Sequence, residues 1–162
     1  MTLLNIVPFD NATHRSQVMQ MWRASFGYDT AHNEPGLVID KKRALHDGLF
    51  FVATVAGEVV GTVMAGYDGH RGWLYSVAVS LGHRKLGAGR QLVAHAEQAL
   101  TRLGCLKINL QLLQSNAATA AFYASLGYAA EPRVSMGKLI PGNIPVPALA
   151  LPDRTSPPGG PG

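Results

Sequence analysis

Apolar and polar positions recur with two different periods along this chain, and the switches between them mark its elements. Leu3–Val7 reads as a short strand. Asp10 stands where a carboxylate can cap a helix running to about Ala24, with Val18, Met21 and Trp22 as its apolar stripe. A loop carrying Asp29, Asn33, Pro35 and Gly36 leads to a shorter helix near Ile39–His46. Leu49–Val55 and Glu58–Tyr67 read as two strands joined at Ala56-Gly57. The Asp-Gly of Asp68–Gly72 marks a tight turn before a strand over Trp73–Val79. After a loop at Gly82–Gly89, Arg90–Leu103 has helical spacing, with Leu92, Val93, Ala96, Ala99, Leu100 and Leu103 on one face and Gly104 as its stop. Leu106–Leu112 alternates strictly, so Leu106, Ile108, Leu110 and Leu112 face one way and Lys107, Asn109 and Gln111 the other. Asn116–Leu126 reads as a helix capped by Ser115 or Asn116 and ended by Gly127, and a last strand is predicted near Val134–Leu139.

The order β-α-α-β-β-β-α-β-α-β predicts an α/β domain whose central strands are joined by hairpins, rather than a fully parallel wound sheet. The folded unit is expected over residues 1–140. Residues 141–162 are rich in proline, which fixes φ and lacks an N–H donor. An extended or disordered tail is the expectation there, with an arm docked through Val146, Leu149 and Leu151 as the alternative.

Composition narrows the function classes. With 162 residues, 47% of them hydrophobic and 15% charged, the chain can bury one core and is not a disordered polymer. No stretch of about 18 apolar residues occurs, and the opening MTLLNIVPFD lacks a basic leader, so neither a membrane span nor a secretory signal is expected. A single cysteine, Cys105, excludes an internal disulfide and a cysteine-based metal cluster, and it reads as a small core hydrophobe. The histidines His14, His32, His46, His83 and His95 show no ligand spacing, and no metal is expected. A cytoplasmic, reducing setting follows as the expectation. The net charge of +4 suits an anionic small ligand as well as nucleic acid. The only basic run is Lys41-Lys42-Arg43, too short for a nucleic-acid patch, and no stripe of aromatics and bases supports one, so no nucleic-acid partner is expected.

Candidate chemistry concentrates in two segments. Val77-Ala78-Val79, followed by Arg84-Lys85-Leu86-Gly87-Ala88-Gly89-Arg90, runs from strand through loop into helix. Glycines at a helix opening let the backbone approach a ligand closely, and the free amides of the first turn point at one spot. The positive end of the helix dipole, with Arg84, Lys85 and Arg90, meets the requirements of a pyrophosphate cradle. A simple turn before a helix satisfies the same pattern. The cradle is neither a P-loop nor the dinucleotide fingerprint, because the residues and spacing of both are missing. In the second segment Asn116 and Tyr123 lie seven residues apart, almost two helical turns, so both point to one side. Either residue read alone is a helix cap or a buried aromatic.

Taken together, these segments resemble the GNAT superfamily of acetyl-CoA-dependent N-acetyltransferases, and within it the YpeA-type branch. Arg84, Gly87 and Gly89 match its Arg/Gln-x-x-Gly-x-Gly/Ala motif, and Asn116, Phe122-Tyr123 and Leu126-Gly127-Tyr128 its second motif. The likeness extends over Leu49–Ala53, Val59–Trp73, Gly104–Gln111 and Val134–Leu139. It implies a mixed, mostly antiparallel sheet with helices on both faces, splayed where strands 73–79 and 106–112 part to admit acetyl-CoA. It further implies that the backbone of Val77 and Val79 bonds pantetheine like an added strand, and that amides from Lys85 to Arg90 take the pyrophosphate. Asn116 would touch the coenzyme A arm and Tyr123 would protonate the leaving thiolate. Lys85 stands where many relatives carry glycine.

The general base is the gap in this picture. Positions where members of the superfamily place a glutamate are here Gln111 and a site near Trp73, and neither accepts a proton at neutral pH. A lysine-type amine with pKa ~10.4 is about 0.04% neutral at pH 7, a handicap of roughly 4.6 kcal/mol, whereas an α-amine loses only about 1 kcal/mol. The acceptor amine is therefore expected to have a low pKa or to lose its proton through ordered water near Asp68 and His70, with Asp29 and Glu34 as weaker candidates. Gln111 is a candidate substrate contact. The expected reaction is direct transfer to a primary amine of a small molecule or protein, with a non-catalytic acyl-CoA-binding module as the alternative. A homodimer stays open.

Overall fold

The computed structural model describes residues 3–27 and 31–143. Five strands, β1 (Leu4–Pro8), β2 (Phe50–Val55), β3 (Glu58–Tyr67), β4 (Gly72–Val79) and β5 (Ile108–Leu110), form one open sheet in sequence order. The first three pairings are antiparallel and β4–β5 is parallel. Four helices, α1 (Asn11–Phe26), α2 (Pro35–Ala44), α3 (Ala88–Arg102) and α4 (Ala117–Ser125), complete the α/β fold.

Alternation along the central strands builds a core on each face. Phe51 and Ala53 of β2, Val63 and Ala65 of β3 and Leu74 of β4 pack against Leu92, Val93, Ala96 and Leu100 of α3. On the other face Phe50, Val52, Met64 and Ala78 meet Val18 and Trp22 of α1 and Ile39 of α2. Asp10 caps α1 as expected, its carboxylate accepting from the Thr13 amide at 2.8 Å.

Three elements differ from the sequence reading. The second helix begins at Pro35 rather than Ile39. Proline is preorganised for a first helical position, and the Glu34 carboxylate accepts from the Gly36 and Leu37 amides at 3.0 and 2.6 Å. The strand expected over Leu106–Leu112 is reduced to Ile108–Leu110, and Leu106 is 97% exposed. The last strand expected near Val134–Leu139 does not form, and Val134 and Met136 are exposed. The chain beyond α4 meets β5 through side chains instead of a backbone ladder. Glu131 accepts from Lys107 at 2.6 Å and Asn109 at 2.7 Å, and Gln111 donates to the Ser135 hydroxyl. An alternating sequence with no sheet face to bury its apolar half gains nothing from becoming a strand. Pro141–Asn143 forms a single 3-10 turn, and the rest of the proline-rich tail lies outside the described residues.

Candidate active site

The site is built around the place where two strands separate. Parallel pairing joins Gly72, Trp73 and Leu74 to Ile108, Asn109 and Leu110, and ends there, while β4 continues to Val79. The edge of β4 that faced β5 is then open, beside Val77, Ala78 and Val79. On its other edge β4 carries a bulge. Thr62 stands opposite Ala78 and Met64 opposite Tyr75, so β4 has one residue more than β3 between these pairs. Ser76 lies in this stretch with φ 51°, a conformation that non-glycine residues rarely adopt. A buried chain of bonds holds it. The Trp22 indole donates to the Thr62 hydroxyl at 2.9 Å, and that hydroxyl donates to the Ser76 carbonyl at 2.7 Å.

The glycine loop lies just past the C-terminal end of β4. Gly87, at φ 81°, is the N-cap of α3, and no side chain caps that terminus. The first intrahelical bond runs from the Gln91 amide to the Gly87 carbonyl, so the amides of Ala88, Gly89 and Arg90 have no partner within the helix. A side chain at Gly89 would press on Phe122 of α4 at 3.2 Å and on Val79 of β4 at 3.7 Å. The start of α3 thus sits where β4, α3 and α4 converge. Arg84, Lys85, Leu86 and Arg90 are exposed around it, and Arg84 donates to the Val79 carbonyl at 3.3 Å. Lys85 has φ 67°, a left-handed value that favours glycine.

The two residues of the second segment separate in role. Asn116 is exposed and caps α4, its side-chain oxygen accepting from the Thr119 amide at 3.1 Å. Tyr123 is 7% exposed and packs edge-on against Phe122 and Tyr128. Burial pushes its phenol up to about 12. Asp68 closes the β3–β4 turn by accepting from the His70 amide at 2.8 Å and the Arg71 amide at 2.7 Å. Those bonds, Arg71's first, hold its carboxyl below the usual value. His70 is exposed on the same turn. Glu34 is engaged in capping α2, and Asp29 lies outside the described residues.

Several features escaped the sequence reading. Glu131 is held ionised against Lys107 and Asn109, the former the stronger influence. The Asn109 carbonyl oxygen is buried without a hydrogen-bond partner among the described residues. Lys42 is buried, pairing with Asp47 at 2.7 Å and donating to the Ala65 carbonyl. One signal for Lys42 was present, because it shares helical spacing with the buried Pro35 and Ile39.

The family model for the acetyltransferase (GNAT) family matches residues 15–128, well over half of the chain. The chain belongs to the GNAT acetyltransferase family. It is an acyltransferase of that family. An acetyltransferase from Sodalis glossinidius (strain morsitans) is 43% identical over 96 residues, spanning 59% of this chain and 68% of that protein. One from Pectobacterium atrosepticum is 39% identical over 106 residues, spanning 65% and 75%. Among solved structures, aminoglycoside N-acetyltransferase AAC(6')-Iy in complex with CoA superposes on this GNAT domain with a TM-score of 0.70 at 18% identity, covering 85% of this chain and 95% of that one. Ard1 from Thermoplasma volcanium has a TM-score of 0.69 at 23% identity, covering 78% and 82%. These structural likenesses speak to the fold. No helix among the described residues is long and apolar enough to cross a membrane, and no group of three or more His, Cys, Asp or Glu among them is placed to hold a metal ion.

Proposed function

We propose that this GNAT enzyme transfers the acetyl group of acetyl-CoA directly to a primary amine, carried by a small molecule or a protein. The observation that carries the reading is the parting of β4 from β5 after Leu74 and Leu110, with the uncapped start of α3 at the far end of the same open edge.

The chain's own groups fit the cosubstrate. Open amides at Ala88, Gly89 and Arg90 and the helix dipole suit a pyrophosphate, and Arg84, Lys85 and Arg90 add positive charge. The backbone of Val77, Ala78 and Val79, lacking a β5 partner, can pair with the amides of pantetheine as an added strand would. Asn116 would contact the coenzyme A arm, and Leu86 belongs to the loop that would face the pyrophosphate. Attack by the amine nitrogen on the acetyl carbonyl carbon forms the new C–N bond, and a backbone N–H near Val77–Val79 can stabilise the oxyanion. As the C–S bond breaks, the departing thiolate takes a proton from the Tyr123 hydroxyl, which burial keeps protonated. The nitrogen's surplus proton leaves to solvent or through water. Asp68, engaged by two backbone amides, is poorly suited to hold that proton, so the amine's own pKa governs deprotonation. Gln111 and His70 remain candidate acceptor contacts.

Two measurements test this. Coenzyme A is titrated into the protein in a calorimeter, and acetyl-CoA is offered with a mixed amine library followed by mass spectrometry. Heat of binding and an N-acetylated product support the reading. Absence of heat on titration overturns it.

A further inference from the structure

We propose that Tyr75 is the acceptor-contacting wall of this site, that it selects amines whose carbon skeleton is flat and apolar, and that the buried Lys42, held by Asp47, positions it. The inference rests on the acetyl-transfer reading and names the acceptor class for it.

Tyr75 is the first residue of β4 beyond its last pairing with β5. Leu74 packs in the core beneath α3, so Tyr75 projects from the opposite face, the one covered by α1 and α2. The cosubstrate path runs along β4 from the start of α3 back towards the bulge. The acyl end of that path falls beside Ser76 and Tyr75. A nucleophile entering from the α1–α2 side meets the Tyr75 ring first. Trp73, half-buried, lies two residues earlier on the same face of the strand.

The ring is large, apolar and 40% exposed, yet two elements, β3 and α2, fix it. Its hydroxyl is seated so closely over Gly66 of β3 that a Cβ there would collide with it. The Lys42 ammonium of α2 stands 5.6 Å from the ring centroid. That ammonium is itself held by Asp47 at 2.7 Å and by the Ala65 carbonyl. Lys42 is buried while Asp47 reaches solvent, so the pair takes one ammonium out of water and fixes its position against the ring. Here the geometry is that of an exposed aromatic ring at the mouth of the open strand edge. Because a cation already occupies one side of the ring, a second ammonium gains little there, and the exposed surface suits the uncharged carbon skeleton of the acceptor.

The test uses 2-phenylethylamine and 1,3-diaminopropane as probes, titrated into the full chain with and without coenzyme A and offered with acetyl-CoA. The wild type is expected to bind and acetylate the aryl amine preferentially. Tyr75→Phe keeps that preference. Tyr75→Ala raises KM for 2-phenylethylamine by about tenfold, with coenzyme A affinity unchanged. Lys42→Arg retains the preference, and the charge-removing double variant Lys42→Met, Asp47→Asn raises KM more than it lowers kcat. Equal affinity of wild type and Tyr75→Ala for 2-phenylethylamine, or no binding of that amine by the wild type, overturns the proposal. Failure of coenzyme A to bind overturns the acetyl-transfer reading instead, while the amine titration still decides the role of Tyr75.

Discussion

The Thr62 hydroxyl donates a 2.7 Å hydrogen bond to the Ser76 carbonyl, and this bond ties the bulge of β4 to the core under α1. Thr62 is fully buried, and its oxygen also receives the Trp22 indole. Replacing it with valine keeps the volume but leaves a buried donor and a buried acceptor unpaired, at a cost of about 1–3 kcal/mol. Thr62→Val is expected to lower the urea midpoint without changing the slope, and to weaken coenzyme A binding, because the strand edge it steadies is the proposed pantetheine path. Thr62→Ser restores both. Urea denaturation and calorimetry of the three proteins check this.

Gly89 separates α3 from α4 and β4. Gly89→Val drives branched methyls towards Phe122 and Val79 and displaces the helix start that offers the amides. A loss of coenzyme A affinity of about tenfold or more is expected, on the scale of misplaced charge-assisted hydrogen bonds. Gly82→Ala, where an added Cβ meets nothing within 4 Å, leaves affinity unchanged. Parallel calorimetric titrations distinguish the two.

Tyr123→Phe removes the proposed proton donor but keeps the packing against Phe122 and Tyr128. A fall in kcat of about a hundredfold is expected, with little change in coenzyme A affinity. With its phenol pushed up to about 12, the wild type shows no loss of rate from this group across the neutral and mildly alkaline range.

The same shift sets alkaline stability. Tyr123 stays neutral in the folded state while the unfolded chain ionises near the ordinary value of 10.0. The stability contribution is therefore complete below pH 10.0 and is lost as pH rises towards 12, by about 3 kcal/mol. Tyr128, raised by burial and by Glu97, adds in the same direction. Chemical denaturation at stepped alkaline pH is expected to show a smaller loss in Tyr123→Phe than in the wild type.

Asp68 is held ionised by the Arg71 and His70 amides, so its contribution to the turn is present above the ordinary carboxyl range and is lost only as pH falls below it. Asp68→Asn and His70→Ala are each expected to leave the neutral limb of the pH–rate profile in place. That limb moves instead with the pKa of the amine supplied. A limb that vanishes in either variant would return that residue to the role of base.

Much of the fold could be read from local pattern because the forces that set it are local. The apolar runs of Phe50–Val55 and Glu58–Tyr67, broken at Ala56-Gly57, the helical spacing of Leu92, Val93, Ala96 and Leu100, and the caps at Asp10 and Asn116 depend on neighbours within a few residues. The glycine loop was legible for the same reason, since open amides at a helix start follow from residues 87–91 alone. The last strand expected near Val134–Leu139 does not form, because a strand needs a backbone partner and this segment's bond to the chain following β5 is side chain to side chain, Gln111 to Ser135.

By itself, then, the sequence determined the order of elements from β1 to α4, the two apolar faces and the loop at the head of α3. Each of these is written in spacings shorter than a helix. Tertiary structure alone decided where β4 leaves β5, how Trp22 reaches Thr62 from 40 positions away, and which ring the Lys42 ammonium meets. Those contacts join residues far apart in the chain, and only packing of the whole sheet between its helices brings them together.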